Sequence, residues 1–410
     1  MPHDCASSPL CADTQNAARL TRRSLLRGGL ALGCSAAAFP LLSHATFAAA
    51  PTETRLIVII LRGAMDGLDV VRPAGDPHLL RHRPGLAATP GLALDDFWQL
   101  HPHLDGLMPL WQAGELGFVQ AVSTPYRDKR SHFDGQDLLE AGTAMDAPPQ
   151  LRRIGWLNRL LADLPNTRAE TAFAIGREML PVLAGPNPVQ RWSPETTLDI
   201  SAQARRLLEA LYETDPPFHL AANTALDLTN SEEESGKAMT PTSGRGGKEI
   251  AEFAKFTAER MRADTRIAAF SMAGWDTHAR QDNAILRPLG RLQEMMLALR
   301  TELGPLWEKT ALLAMTEFGR TVRENGSLGT DHGTGGLMIT AGGAIRGGKV
   351  LGHWPGLSDD ALYAGRDLQP TGDVRAVAGW VMHGLMGVGR SEVETKIFPG
   401  VDLGVNPGIV

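Results

Sequence analysis

Four stretches of this 410-residue chain group carboxylates, imidazoles, a serine and arginines in ways that could hold a metal ion and supply a nucleophile. Asp66 follows an aliphatic run directly. Arg130-Ser131-His132-Phe133-Asp134 precedes a helical run from Gly135 to Glu140. A serine there can simply cap the helix, or the helix N-terminus and a nearby cation can lower its pKa and make it a nucleophile. Gly274-Trp275-Asp276-Thr277-His278 places an Asp and a His two residues apart. In an extended loop such residues point the same way and can grip one ion together. The fourth stretch pairs Thr316-Glu317-Phe318-Gly319-Arg320 with Gly329-Thr330-Asp331-His332-Gly333. Any one of these residues alone reads as a cap or a surface group. Together, carboxylates and imidazoles are what zinc, manganese or magnesium require. His78, His82, His101, His103 and His383 have no such companions and read as structural or surface histidines.

The elements that must position these residues are visible in the hydrophobic pattern. The run Arg55 to Leu61 reads as a strand buried on both faces, ended by the turn residues Gly63 and Gly67. Similar runs recur at Leu116 to Val122, Thr171 to Ile175, Arg266 to Met272, Thr310 to Met315 and Leu337 to Thr340. Helical stretches at Gly155 to Leu164, Ala202 to Tyr212, Lys248 to Arg262 and Ile285 to Leu303 lie between several of them. This alternation predicts an α/β fold with a mainly parallel central sheet flanked by helices. Ligands of such sheets collect at the carboxyl ends of the strands, where all four stretches fall. The segment Thr229 to Gly247, rich in Ser, Glu, Gly and Thr, is expected to be a mobile surface loop within one domain spanning 51–410.

These motifs resemble a known family. The strand followed by Asp66, then Ser-His-Phe-Asp-Gly-Gln-Asp, Gly-Trp-Asp-Thr-His, Thr-Glu-Phe-Gly-Arg-Thr and Gly-Thr-Asp-His-Gly look like the bacterial exported proteins grouped as domain of unknown function 1501. That family is placed with the alkaline-phosphatase-like proteins, which include sulfatases and phosphopentomutases. The superfamily typically sets two metal ions around a Ser, Thr or formylglycine nucleophile. The resemblance therefore implies Ser131 as nucleophile, with Asp66, Asp276, His278, Glu317, Asp331 and His332 as metal ligands. By strand order Glu317 takes the place of the superfamily's Asp-His pair, and Asp331-His332 matches a later motif. By residue type Asp331-His332 is that pair. Strand order gives one site of Asp276, His278 and His332 with Asp331 close by, and another of Asp66, Ser131 and Glu317, where His132 could stand in for a missing histidine. The implied activity is hydrolysis of small phosphate or sulfate esters, with Arg320 or Arg130 clamping the nonbridging oxygens. Ser131 is followed by His132-Phe133-Asp134, which does not fit the formylglycine motif of a standard sulfatase. Two other readings are a metal-water hydrolase in which Ser131 only caps its helix, and a non-catalytic metal-binding envelope protein.

The first fifty residues carry an export pattern. Thr21-Arg22-Arg23-Ser24-Leu25-Leu26 is a paired-arginine motif, followed by an uncharged small-residue stretch from Gly28 to Phe39 and by Ala48-Ala49-Ala50. The stretch is shorter than the roughly 18–20 apolar residues a span needs, so residues 1–50 are expected to be a twin-arginine signal. A periplasmic or other extracytoplasmic location is expected, with the twin-arginine translocase as transient partner. All three cysteines, Cys5, Cys11 and Cys34, lie in that segment, so the remainder has no thiol chemistry. Removing residues 1–50 takes away four arginines and two aspartates and moves the formal net charge from -6 to -8. That acidity disfavours nucleic acid as a partner.

Overall fold

The computed structural model describes residues 53–164, 173–175, 180–187, 189–192, 244–263 and 265–410. All of them fall within one compact unit, Leu42–Thr197 with Lys237–Val410. The expected signal and the expected helix from Ala202 to Tyr212 lie outside the described residues, as does most of the expected loop. The last four residues of that loop are not loop. Helix α3 begins at Gly244, so the composition break ends in the first turn of a helix.

The sequence runs β1 (Arg55–Arg62), β2 (Leu116–Ser123), α1 (His132–Ala141), α2 (Trp156–Asp163), α3 (Gly244–Arg262), β3 (Ile267–Ala273), α4 (Gln281–Ala284), α5 (Leu286–Leu303), β4 (Thr310–Met315), β5 (Gly336–Ala341), β6 (Val350–Leu351), β7 (Gly372–Asp373) and α6 (Val374–Met386), with minor elements between. Seven strands form the central sheet in the order β6-β2-β5-β4-β1-β3, with β7 also on β2. β1 pairs in parallel with β3 and β4. Only β5 runs against its neighbours β4 and β2. The short strand Phe173–Ile175 lies in a separate two-stranded sheet with Gln190–Trp192, so it does not extend the central one.

The unbroken aliphatic character of β1 has a direct cause. Leu56, Val58 and Ile60 face a core built with α2 and α6 through Trp156, Leu160, Val377 and Val381. Ile57, Ile59 and Leu61 face the opposite core, built with α3 and α5 through Phe253, Met261, Leu292 and Leu299. A strand covered by helices on both sides has no polar alternate face. Among the described residues, no helix is long and apolar enough to cross a membrane.

Candidate metal centre

The carboxyl ends of β1, β3 and β4 and the start of α1 converge at one edge of the sheet. Gly63 makes this convergence possible. Its φ is +116°, and a Cβ there would lie 2.6 Å from the backbone nitrogen of Asp276. Gly329 is required in the same way, since its Cβ would stand 2.3 Å from the backbone of His278. The buried Trp275 fixes the β3 loop by donating its indole N–H to the Met272 carbonyl at 3.0 Å. His132 is delivered by α1, which starts where the Ser131 side chain accepts from Asp134 N and stops at Gly142 in the left-handed region.

Three histidines present Nε2 to one carboxylate. His278 Nε2 lies 3.0 Å and His332 Nε2 3.2 Å from Asp276 Oδ1, and 2.9 Å from each other. These three atoms form a nearly equilateral triangle. His132 Nε2 lies 3.4 Å from the other oxygen, Oδ2. That nitrogen is sealed from solvent and has no hydrogen-bond partner among the described residues. His132, Asp276 and His332 offer ligand atoms all within 4.8 Å of one another.

Each histidine is also held from behind. His132 Nδ1 bonds Glu317 Oε1 at 2.8 Å, His278 Nδ1 bonds Asp331 Oδ1 at 3.2 Å, and His332 Nδ1 bonds the Arg130 carbonyl at 3.0 Å. Imidazoles that bind metals are typically fixed this way, the outer partner setting the ring's tautomer and orientation. The residues therefore fit a divalent ion, with nitrogen and oxygen donors suited to zinc or manganese. Burial alone would raise the Asp276 carboxyl, but the bond and charge of Arg320, with His332 and His278, hold it down at about 2. It is thus a carboxylate at any physiological pH. The hydrogen bond to Glu317 pushes His132 up, and burial pushes His332 down.

The remaining residues singled out from sequence take other places. Glu317 is fully buried and faces His132 rather than the centre, also accepting from Gly63 N, Gln136 and Thr316. Burial would raise its pKa, and the bond to His132, with those from Gln136 and Thr316, keeps it lowered. Asp331 stands behind His278. Asp66 is not in the cluster: it is 1% exposed, and both its oxygens are taken by Arg83 at 2.7 and 3.1 Å. Arg320 is also buried and cannot clamp a substrate oxygen. Its nitrogens donate to the carbonyls of Gly63, Ala64, Trp275 and Thr330 and to Asp276 Oδ1 at 2.6 Å, so it holds the ligand loops together. Sequence reasoning placed His132 only as a substitute ligand and did not reach Arg83, Gln136 or Gln281.

A partly buried polar chain runs away from the centre. Gln136 bonds Glu317 and accepts from Arg62, which pairs with Glu140 at 2.8 Å. Burial pushes the Glu140 carboxyl from 4.5 to about 7, against the pull of Arg62 and the Val182 amide. The folded chain therefore binds this proton more tightly than the unfolded chain. The resulting stabilisation, about 3 kcal/mol for a shift of that size, is complete below pH 4.5 and is lost as pH rises through about 7. Urea unfolding across pH 4.5 to 8 is expected to show this fall in wild type and a flatter profile in Glu140→Gln. Equal slopes would assign the pH dependence elsewhere.

An α/β sheet carrying a metal-competent cluster at its strand ends defines the class. A family model described as "Protein of unknown function (DUF1501)" matches residues 131–379, and the chain belongs to that family. The match covers His132, Asp276, His278, Glu317, Arg320, Asp331 and His332. No curated protein and no solved structure matches the chain.

Proposed function

We propose that this chain is an exported, alkaline-phosphatase-like, metal-dependent hydrolase of phosphate or sulfate esters, built around one divalent ion. The observation that carries the metal reading is the convergence of three Nε2 atoms on Asp276, each imidazole held at Nδ1 by Glu317, Asp331 or the Arg130 carbonyl. The hydrolase reading rests on the resemblance in the motifs and on the position of the cluster at the carboxyl ends of parallel strands. Export to the periplasm rests on the paired-arginine pattern at Arg22-Arg23.

An ion held by His132, Asp276, His278 and His332 would polarise an ester oxygen and make water a better nucleophile at neutral pH. The protein's own residues do the rest. Arg320 and Glu317 keep the ligand loops in register from the buried side. Arg130, whose carbonyl fixes His332, is exposed and its guanidinium has no partner among the described residues, so it suits the nonbridging oxygens of an anionic ester. An open groove of about 360 Å³ lies beside α1, lined by Lys129, Arg152 and Arg153 together with the carboxylates of Asp134 and Asp137. Asp331, bonded to His278 Nδ1 at 3.2 Å, fixes the ring of that ligand from the solvent side.

Ser131 is better supported as a cap than as a nucleophile. Its Oγ accepts from Asp134 N at 3.3 Å, and Asp66, the partner expected for a second ion, is closed off by Arg83. Ser131→Ala is expected to cost about 1 kcal/mol in stability, as lost serine caps do, and to keep most esterase activity. Loss of nearly all turnover in a folded Ser131→Ala protein would establish a seryl intermediate instead.

A second reading has its own support. Four protein donors can close a tetrahedral ion completely, which marks structural centres, whereas catalytic centres keep a position open. On that reading the chain is a non-catalytic metal-binding envelope protein. The test is a screen of phosphate and sulfate esters with metal-loaded wild type, the chelated protein and Asp276→Ala. Turnover confined to the loaded wild type supports the hydrolase. Its absence across the screen, with metal bound, favours the envelope protein.

A further inference from the structure

Behind the ligand loops lies a buried side chain whose hydrogen-bonding capacity is wholly used. Gln281 is fully buried at the start of α4. Its Nε2 donates to Asp66 Oδ2 at 2.6 Å and to Asp69 Oδ2 at 2.9 Å. Its Oε1 accepts from Thr277 Oγ1 at 2.8 Å and from Thr330 Oγ1 at 2.7 Å. The amide orientation is fixed by chemistry, because the carboxylates can only accept and both hydroxyls must donate to the oxygen. Glutamate at this position would set a third carboxylate against Asp66 and Asp69.

The two threonines are the link to the metal. Thr277 sits between Asp276 and His278, and alternate residues of an extended loop face opposite ways. Drawing the Thr277 hydroxyl inward turns Asp276 and His278 outward together. Thr330 lies two residues before His332, and its backbone N–H also donates to the Thr277 carbonyl at 3.2 Å. A single amide therefore ties both ligand loops to one fixed base. That base is rigid: Asp66 is locked by Arg83, and Asp69 by Arg72 at 2.7 Å. The chain reaches Gln281 through Arg280, a non-glycine residue at φ +46°. Such backbone persists only where its surroundings over-determine it.

We propose that Gln281 is the positioning residue of the metal centre, setting the spacing of the Asp276–His278 and Asp331–His332 loops, with Asp66 and Asp69 as its anchors rather than as ligands. The inference rests on the metal reading above and goes beyond it by assigning the residue that presets the geometry. It gives Asp66 a purpose at the end of β1 that needs no second ion.

The test uses Co(II) as the probe, titrated onto the folded full chain and followed by its visible absorption, which reports coordination geometry. Gln281→Met removes all four bonds but strands two carboxylates and can fail to fold. Thr277→Val and Thr330→Val keep shape and leave the Asp66 and Asp69 contacts in place. Each valine variant is expected to bind Co(II) about 10–100-fold more weakly, with an altered spectrum, as is usual when an outer partner of a metal ligand is lost. Thr277→Ser, which keeps the hydroxyl, is expected to restore wild-type affinity and spectrum. A folded Thr277→Val protein with wild-type affinity and spectrum would overturn the assignment, as would a Thr277→Ser protein as weak as the valine variant. Failure of unsubstituted protein to bind Co(II) is a separate outcome, and it overturns the metal reading itself.

Discussion

Replacing Asp276 by alanine is expected to weaken divalent-ion binding by more than the roughly 10–100-fold that loss of an outer partner costs. Among the described residues, Asp276 is the one that meets all three histidines, at 3.0, 3.2 and 3.4 Å. Its removal takes away the only carboxylate among the converging ligand atoms and leaves three imidazoles to bind the ion alone. It also removes the carboxylate that Arg320 pairs with at 2.6 Å, leaving a guanidinium charge without its counter-ion beside the cation. Both effects act in the same direction. Asp276 is about half exposed, so the fold itself should tolerate the change. Calorimetric titration with zinc or manganese on both proteins checks this. Equal affinities would remove Asp276 from the ligand set.

Arg83→Met should act on stability instead. Arg83 and Asp66 are each 1% exposed and pair through two hydrogen bonds, with further donation from Arg83 to the Thr321 and Val322 carbonyls. Removing one partner of a buried pair strands the other charge, which typically costs about 3–5 kcal/mol. Burial alone would raise the Asp66 pKa, but Arg83 and the Gln281 amide hold it below its ordinary 3.8. A depressed folded-state value means the stabilisation is present above 3.8 and lost as pH falls through the lower folded value. Urea unfolding is therefore expected to show a large loss for Arg83→Met at pH 7 and a narrowing gap to wild type in acid. A loss below 1 kcal/mol at pH 7 would show that the pair contributes little.

The frame of the protein could be read from its residues because both signals are local. A strand covered on both faces must be aliphatic throughout, and β1 and β4 begin and end within a residue of the hydrophobic runs that announce them. The reversed direction of β5 was not read from the sequence, because the segment from Thr316 to Gly335 is long enough for a parallel return. The structure shows the reason: no helix forms between β4 and β5, and a parallel return usually needs a helical crossover. The loop from Thr316 to Gly335 stays at one end of the sheet, so β5 starts where β4 stops.

The site was legible by type and position but not by role. Asp66, Glu317, Asp331 and Arg320 all lie at the right edge, yet whether a carboxylate meets a metal or an arginine depends on its far partner. Arg83, 17 residues beyond Asp66 and outside every motif, decides the role of Asp66. His132 was undervalued because a histidine just inside a helix start reads as surface. Only the fold reveals Glu317 behind it and Asp276 ahead. Gln281 carries no sequence signal, being one glutamine three positions after His278.

The most direct test of the account is metal content by elemental analysis of the folded protein, never exposed to chelator. One divalent ion per chain, retained in a folded Asp66→Asn variant, is the expected result. No ion at all would contradict the account, and so would two ions with one lost on changing Asp66.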